Sequence, residues 1–242
     1  MRYAVISDIH ANLEALAAVL KDIEKQSVDQ VICLGDVIGY GVDPVPCIDL
    51  VEKHCAIKLK GNHEAAALGE VSTDHYNPAA RISAEWTRAH LTDTARNIIS
   101  AYVMEHEEPG IYFVHASPLE PTTWRYVLNV DEAGTGIACM PQRIGFNGHT
   151  HLPMIFASYK KSPIRQTIGH SFCPDPETRY LVNVGAVGQP RDNDPRASYA
   201  IFDTVEEEIT FRRIEYDVKT TQDKMIQAEL PELLIARLSA GR

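Results

Sequence analysis

The stretch Tyr3-Ala4-Val5-Ile6-Ser7-Asp8-Ile9-His10 is a short apolar run that ends at an aspartate and a histidine. Its length and composition are those of a buried β-strand. In segment 12–25 apolar residues recur at helical spacing with Asn12 as the expected N-cap, which predicts a helix. A second apolar run covers 30–34, so the chain opens with a β-α-β unit.

The rest of the first half keeps the same alternation of strand-like and helix-like segments. This alternation is typical of a mostly parallel sheet flanked by helices. Strands are predicted at 56–59, 111–114 and 144–147. Helices are predicted at 78–90 and 92–106, inside a helical insertion at about 65–107 that we expect to cap the site.

Beyond His151 the predicted strands are separated by Pro and Gly turns, which favours a second, more antiparallel sheet. These strands lie at 154–159, 180–183, 199–203 and 209–214. The last predicted helix, 220–238, is interrupted by Pro231. We therefore predict an α/β fold in which two packed mixed β-sheets, a double β-sandwich, are flanked by helices, with residues 1–242 forming a single domain.

The composition limits the classes of function. The chain has 45% apolar residues and a formal net charge of −10, so we expect a large core and no general nucleic-acid binding. The sequence has no signal-like N-terminus and no run long enough to cross a membrane, and we expect no membrane partner. Five cysteines without a C-x-x-C pair favour a reducing, cytoplasmic location. The sequence leaves open whether the protein forms a homo-oligomer.

Metal-binding and proton-transferring side chains follow five of the predicted strands. Ligands of α/β sheets bind at the carboxyl ends of strands, so these groups should meet at one edge. They are Asp8, His10, Asp36, Asn62, His63, His115, His149 and His151. His54, His75, His90, His106 and His170 lie outside this set and are interpreted as ordinary histidines.

Imidazole and oxygen ligands without thiolate favour a divalent transition metal: Mn, Fe, Co, Ni or Zn. Eight groups exceed the needs of one ion, and two ions sharing a carboxylate could bind both the attacking and the leaving oxygen at phosphorus. Two dications, two aspartates and one hydroxide sum to +1, which attracts a phosphoryl oxygen. The predicted substrate is a small phosphorylated molecule.

Five ordered motifs resemble those of the calcineurin-like metallophosphoesterase superfamily, in particular its compact bacterial and archaeal phosphodiesterase and phosphatase members. They are Asp8-Ile-His10, Gly35-Asp-Val-Ile-Gly39, Gly61-Asn-His-Glu64, His115 and Gly148-His-Thr-His151.

The resemblance implies two metal sites that share Asp36 and a bridging hydroxide that attacks phosphorus. One ion would be held by Asp8, His10, Asp36 and His151, and the other by Asp36, Asn62, His115 and His149. His63 would protonate the leaving oxygen as general acid.

Three residues near the motifs have open roles. Glu64 either orients His63 or is a first-turn carboxylate favoured by the helix dipole. Arg191, in the loop 183–192, either binds a phosphate oxygen or pairs with Asp192 or Asp194. Tyr40, with Tyr76 and Asn77, is a candidate for lining the substrate pocket.

The second motif departs from that of protein Ser/Thr phosphatases and diadenosine tetraphosphatases, which extend it with an arginine. Gly39 and Tyr40 occupy those positions here. A monoester dianion would therefore meet fewer cations, so we expect diesters to be favoured. A phosphomonoesterase and a protein or dinucleotide phosphatase are the alternatives. A non-catalytic interaction scaffold is disfavoured because every ligand and His63 are present.

Overall fold

The structure is a computed structural model that describes residues 1–74 and 76–242. His75, interpreted above as an ordinary histidine, lies outside the described residues. None of the helices in these two ranges has the length and apolarity that a bilayer crossing needs.

The first half of the chain alternates strands and helices, as the sequence predicts. The elements are β1 (Arg2–Ile6), α1 (Leu13–Ile23), β2 (Gln30–Cys33), α2 (Pro44–His54), β3 (Ile57–Lys58), α3 (Asn62–Leu68), α4 (Pro78–His90), α5 (Asp93–Ser100), β4 (Glu105–Glu108) and β5 (Ile111–Val114). Asn12 caps α1 by accepting a hydrogen bond from the amide of Ala15 at 3.1 Å, which confirms the predicted start of that helix.

The second half is richer in strands. After a single 3₁₀ turn at Pro121–Thr123 it forms α6 (Val130–Cys139), β6 (Ile144–Asn147), β7 (Met154–Tyr159), β8 (Arg165–Ile168), β9 (Thr178–Asn183), β10 (Ala197–Asp203), β11 (Glu208–Ile214), α7 (Val218–Gln227) and α8 (Glu232–Ala240). Pro231 stands immediately before α8, so the predicted interruption of the last helix is confirmed.

The strands form two mixed sheets, which confirms the predicted fold class. The first sheet has the order β11-β10-β1-β2-β3, and the second has the order β4-β5-β6-β9-β7-β8. Our assignment of strands to sheets was partly wrong. The strands β5 and β6 belong to the second sheet, whereas β10 and β11 extend the first one by antiparallel pairing with β1. A buried strand shows its apolar character in sequence but not which neighbour it pairs with.

Alternate residues of β1 show how the layers pack. Tyr3 and Val5 belong to the apolar core between the two sheets, and Ala4 and Ile6 face the core beneath the helices α1 and α2. On the outer face of the second sheet, α6 covers a third core that includes Val114 and Leu181. The two sheets therefore stack face to face with helices on both outer surfaces.

The predicted helix 92–106 is wrong in its second half. α5 ends at Ser100, and Glu105–Glu108 pairs antiparallel with β5 across a turn at Gly110, which has φ +82°. Sheet pairing overrides the weak helical pattern there. α2, α6 and β8 have no counterpart among the predicted elements.

The carboxyl ends of the predicted strands meet at one edge of the sandwich, with both sheets contributing. The amide of Asp8 donates to the carbonyl of Gly35 at 3.1 Å, and the amide of Gly148 donates to the carbonyl of His115 at 2.9 Å. The ring of His115 reaches the carbonyl of Leu34 at 3.1 Å and joins the two pairs of loops. This edge contains every predicted site residue of the motifs.

Candidate metal centre

Asp8, His10 and His151 form one buried group of ligand atoms, all within 4.8 Å of one another. Nε2 of His10 lies 3.0 Å from Nε2 of His151, and Oδ1 of Asp8 lies 3.4 Å from Nε2 of His151. The other carboxylate oxygen of Asp8 is held by the amide of His149 at 2.9 Å. Three ligand atoms of the loops after β1 and β6 thus point at one place.

Asp36, His115 and His149 form a second buried group with the same mutual limit of 4.8 Å. Oδ2 of Asp36 lies 3.3 Å from Nε2 of His115 and 3.9 Å from Nε2 of His10. Asp36 of the second group therefore also approaches His10 of the first. Asn62, at the start of α3, turns its amide nitrogen to the hydroxyl of Tyr76 at 3.0 Å, and its carbonyl oxygen is buried.

Backbone carbonyls fix the orientation of three of the imidazole rings. Nδ1 of His10 contacts the carbonyl of Ile38 at 3.2 Å, and Nδ1 of His151 contacts that of Gln189 at 2.6 Å. His115 makes the same kind of contact with Leu34. In each case Nε2 faces the site, as in metal-binding histidines whose other nitrogen is anchored.

Five of the candidate ligands adopt left-handed backbone conformations, with φ between 51° and 66°. Such values are uncommon for residues with a Cβ and cost free energy, so they persist where the surrounding structure enforces them. These residues are Asp8, His10, Asp36, His149 and His151.

The electrostatic environment divides the histidines into two kinds. Burial lowers the pKa of His10 and His151 well below the usual range, and burial with the neighbouring His115 lowers the pKa of His149 to about 3. These rings are neutral and present lone pairs, the form in which imidazole binds a metal.

His115 differs because acidic groups surround it. Burial opposes its charged form, but Asp36, Asp8 and Glu64 outweigh burial and raise the pKa of His115 to about 9. Burial acts to raise the pKa of Asp36, but the charges of His115 and His63 outweigh burial and hold this pKa well below the usual range. Burial raises the pKa of Asp8 to about 7.

The buried atoms without partners test whether metal ions fit here. Within the described residues, three atoms of the two groups and one of the neighbouring Asn62 have no hydrogen-bond partner, although buried polar atoms almost always find one. They are Oδ1 of Asp8, Oδ1 of Asn62, Nε2 of His115 and Nε2 of His149. Oxygen and imidazole donors left open in this way fit divalent transition metals.

Glu64 has a role that sequence reasoning missed. Its buried carboxylate accepts backbone hydrogen bonds from Asp36, Val37, Ile38 and Gly61 at 2.8–3.2 Å. It binds the amide of Gly61, the N-cap of α3, in line with the first-turn alternative, and it also fixes the loop that carries Asp36. No hydrogen bond between Glu64 and His63 occurs in the described structure.

His63 lies beside both groups without anchoring by a carbonyl. Its amide donates to Oδ1 of Asp36 at 2.9 Å, and its ring meets those of His10 and Tyr40 at centroid distances of 4.9 and 4.5 Å. Burial lowers the pKa of His63. A Cβ on Gly39 would lie 2.1 Å from Nδ1 of His63, so the ring packs directly against the backbone there. His63 also lies within ligand distance of His10 and Asp36.

Arg191 forms no ion pair within residues 1–74 and 76–242, so the predicted alternative of a pair with Asp192 or Asp194 is wrong. Asp192 pairs with Arg213, and Asp194 pairs with Arg196. The guanidinium of Arg191 donates to the side-chain oxygen of Gln189 at 2.9 Å and stands over the ring of Tyr40 with Cζ 5.7 Å from the centroid, and its amide donates to the carbonyl of His151 at 3.3 Å. Its Nε is buried without a partner.

A cavity of about 560 Å³ opens beside His63 and His149. Tyr40, Tyr76 and Asn77 line it, as expected for substrate-pocket candidates. Trp124 and Tyr126 form another part of its wall, and the ring of Tyr126 stacks on His149 at a centroid distance of 4.1 Å. No motif in the sequence points to these two aromatic residues.

The comparisons with known proteins agree with this site. The family model described as "Calcineurin-like phosphoesterase superfamily domain" matches residues 1–207. The chain belongs to the calcineurin-like phosphoesterase superfamily. The resemblance inferred from its five motifs is thereby confirmed, and the chain is a metallophosphoesterase with candidate metal-binding His/Asp clusters.

Three individual proteins resemble this metallophosphoesterase along almost its whole length. An uncharacterized protein of Methanocaldococcus jannaschii is 36% identical over 99% of this chain and 98% of its own length. The crystal structure of a metallophosphoesterase from Sphaerobacter thermophilus superposes with a TM-score of 0.88 at 38% identity, covering 100% and 99% of the two chains. A hypothetical protein of Pyrococcus horikoshii has the same fold, with a TM-score of 0.80 at 17% identity and coverage of 100% and 98%.

Proposed function

We propose that this metallophosphoesterase uses two divalent metal ions and favours phosphodiesters over phosphomonoesters. The observation that carries the proposal is the pair of buried ligand groups, in which Asp36 of the second group lies 3.9 Å from His10 of the first. Three ligand atoms of these groups and Oδ1 of the neighbouring Asn62 have no hydrogen-bond partner in the described structure. Asp8, His10, Asp36 and His151 would hold one ion, and Asp36, Asn62, His115 and His149 the other. Mn is our first choice of metal, with Fe, Co, Ni and Zn as alternatives.

Held by these residues, divalent ions would supply an activated water as nucleophile and would neutralise negative charge at phosphorus. The residues of the chain supply the rest. His63 would give its proton to the leaving oxygen from Nε2, because Nδ1 faces the backbone of Gly39. The aromatic walls of the cavity, Tyr40 and Tyr76 in particular, would exclude water from one ester arm.

Charge at the site favours diesters. Lys60 pairs with Glu70 at 2.8 Å, and Ala65–Ala67 follow the third motif, so the start of α3 supplies no free cation in the described structure. A diester has one negative charge and a second arm that the cavity can hold. A phosphomonoesterase is the second candidate, favoured by the unpaired guanidinium of Arg191 near His10.

The ester preference is tested with bis-p-nitrophenyl phosphate and p-nitrophenyl phosphate on Mn-loaded enzyme. We expect kcat/KM for the diester to equal or exceed that for the monoester. A monoester preference above about tenfold would show instead that guanidinium groups bind the second charge of the dianion.

Two further proposals concern the whole chain. We propose the cytoplasm as its location, supported by the five free cysteines, of which Cys33, Cys47 and Cys55 are buried. We also propose that residues 1–242 act as one domain with α3–α5 as a helical insertion beside the site, since the start of α4 lines the cavity through Ala80.

A further inference from the structure

The C-terminal helix α8 reaches the metal centre from a part of the chain outside the family match, which ends at residue 207. Leu234 and Leu238 of α8 belong to an apolar cluster that packs against Tyr40. Leu238 and Tyr40 also line a small cavity beside His10. The helix α8 therefore forms part of the wall of this cavity beside His10.

The end of α8 is tied to the loop that carries Arg191. The amide of Asn193 donates to the carbonyl of Gly241 at 2.8 Å, and Nε of Arg242 donates to the side-chain oxygen of Asn193 at 2.9 Å. Arg237 lies one helical turn before Gly241 and three residues after Leu234, on the side of α8 that carries these contacts. This geometry brings Arg237 to the same rim of the site as Arg191.

Arg191 and Arg237 thus belong to a loop and a helix end that hydrogen bonds join at this rim. Among residues 1–74 and 76–242, neither Arg191 nor Arg237 forms an ion pair, and Arg237 is half-buried. Burial, and after it the positive charge of Arg191, lowers the pKa of Arg237, in agreement with two like charges at one rim. Asp192 and Asp194 cannot compensate the charge because Arg213 and Arg196 bind them.

We propose that Arg191 and Arg237 together bind a phosphate group of the substrate other than the one that is hydrolysed. Guanidinium groups bind phosphate oxygens bidentately, and the bound anion removes the repulsion between the two cations. Tyr40, in contact with both the ring of His63 and the guanidinium of Arg191, separates this subsite from the reacting ester. The inference rests on the proposed function and narrows it to small diesters that carry a further phosphate.

The first test measures binding of inorganic pyrophosphate by calorimetry to protein treated with a chelator, so that metal ions do not contribute. Arg191→Gln and Arg237→Gln should each weaken binding by about tenfold or more. Arg165→Gln is the matched control, because this substitution removes the same charge from an exposed arginine on the edge strand β8. Binding by Arg237→Gln as tight as by wild type, or no binding by wild type, would overturn the proposal.

Thermal unfolding separates a binding role from a structural one. Without added anion, Arg237→Gln should unfold at the same temperature as wild type or higher, because one of two repelling charges is gone. Pyrophosphate should raise the melting temperature of wild type and leave that of the variant unchanged. A lower melting temperature of Arg237→Gln without anion would assign Arg237 to fold stability and contradict the proposal.

The second test compares the p-nitrophenyl ester of thymidine 5′-phosphate with and without a 3′-phosphate, using Mn-loaded enzyme. We expect Arg237→Gln to lower kcat/KM for the phosphate-bearing ester by about tenfold more than for the other, mainly through KM. An equal loss for both esters would overturn the subsite. If wild type hydrolyses neither ester, the proposed function fails, whereas pyrophosphate binding still tests the arginine pair.

Discussion

The ring of His63 faces two different surroundings. Its Nδ1 atom lies against the backbone of Gly39, and the rest of the ring borders the cavity. His63→Ala should lower kcat by about 10²–10⁴, the usual contribution of a positioned acid. The loss should be smaller for p-nitrophenolate, which leaves without a proton, than for an alkoxide. Because His63 lies within ligand distance of Asp36 and His10, metal content must be measured on the same sample. If His63→Ala loses as much metal as His149→Ala, His63 is a ligand.

Gly39 is required by the position of the His63 ring. Gly39→Ala would place a Cβ 2.1 Å from Nδ1 of His63 and force the ring to move. We expect kcat to fall while metal content stays close to that of wild type. Gly69→Ala is the control, since Gly69 has a similar φ of +79° but no atom within 4 Å of the added Cβ. Similar kcat values for the two variants would show that the close approach has no effect on the reaction.

Sequence reasoning at the residue scale succeeds where a side chain's chemistry is its function. The motif residues Asp8, Asp36 and His149 could be chosen because Asp and His after strand ends have few other uses in such numbers. Glu64 could not, because its function is to accept four backbone hydrogen bonds, and such a role depends on the path of another loop. The partner of Arg191 could not be predicted either, because Asp192 pairs with Arg213, a residue of another strand.

At the scale of elements, α1 is fastened to the first sheet through Asp22. The carboxylate accepts from the hydroxyl of Tyr199 on β10 at 2.6 Å and from Nη2 of Arg212 on β11 at 2.8 Å. Asp22→Asn should lower the free energy of unfolding by about 1–3 kcal/mol, as for a hydrogen-bonded charge in a partly exposed pair. The exposed Asp223→Asn on α7, where Asp223 pairs with Lys219, should change it by less than about 0.5 kcal/mol.

The same contact gives a pH dependence with a defined sign. Burial acts to raise the pKa of Asp22, but Arg212 and Tyr199 outweigh it, and the folded pKa is lowered. The stabilisation is therefore complete above the unfolded pKa of about 3.9 and disappears as the pH falls through the lower folded value. Urea unfolding of wild type and Asp22→Asn at several pH values measures it. A difference between them that persists at the lowest pH would contradict the assignment.

Elements were predictable from sequence where one face is apolar and the ends are marked. α1 has Asn12 as its cap and a regular apolar face, and α4 begins after Asn77 at Pro78 as expected. Glu105–Glu108 was not predictable as a strand, since its Glu-His-Glu-Glu sequence forms an edge only because β5 lies beside it. The Pro109-Gly110 turn was the available signal for this hairpin.

At the scale of the whole molecule, the two sheets bring residues from 8 to 151 to one edge. The convergence could be predicted because the carboxyl ends of parallel strands share an edge. The distribution of strands between the sheets could not be predicted, since β10 pairs with β1 although most of the chain lies between them in sequence. The contribution of α8 has no motif and follows only from packing against Tyr40.

The net charge of −10 belongs to this scale as well, because an acidic surface disfavours the approach of long polyanions. In the proposed function, two metal ions that share Asp36 attract the phosphate ester. Asp36 lies in two groups of possible ligands, one with His115 and His149 and one with His10 and His63, whereas Asp8 lies in a single group.

Elemental analysis of protein reloaded with Mn is the most direct test. We expect two ions per wild-type chain, near-complete loss in Asp36→Asn, and loss of about one ion in Asp8→Asn, with Asp223→Asn retaining both. One ion or none per wild-type chain, or an Asp36→Asn variant that keeps one ion tightly, would contradict the shared carboxylate and the binuclear centre.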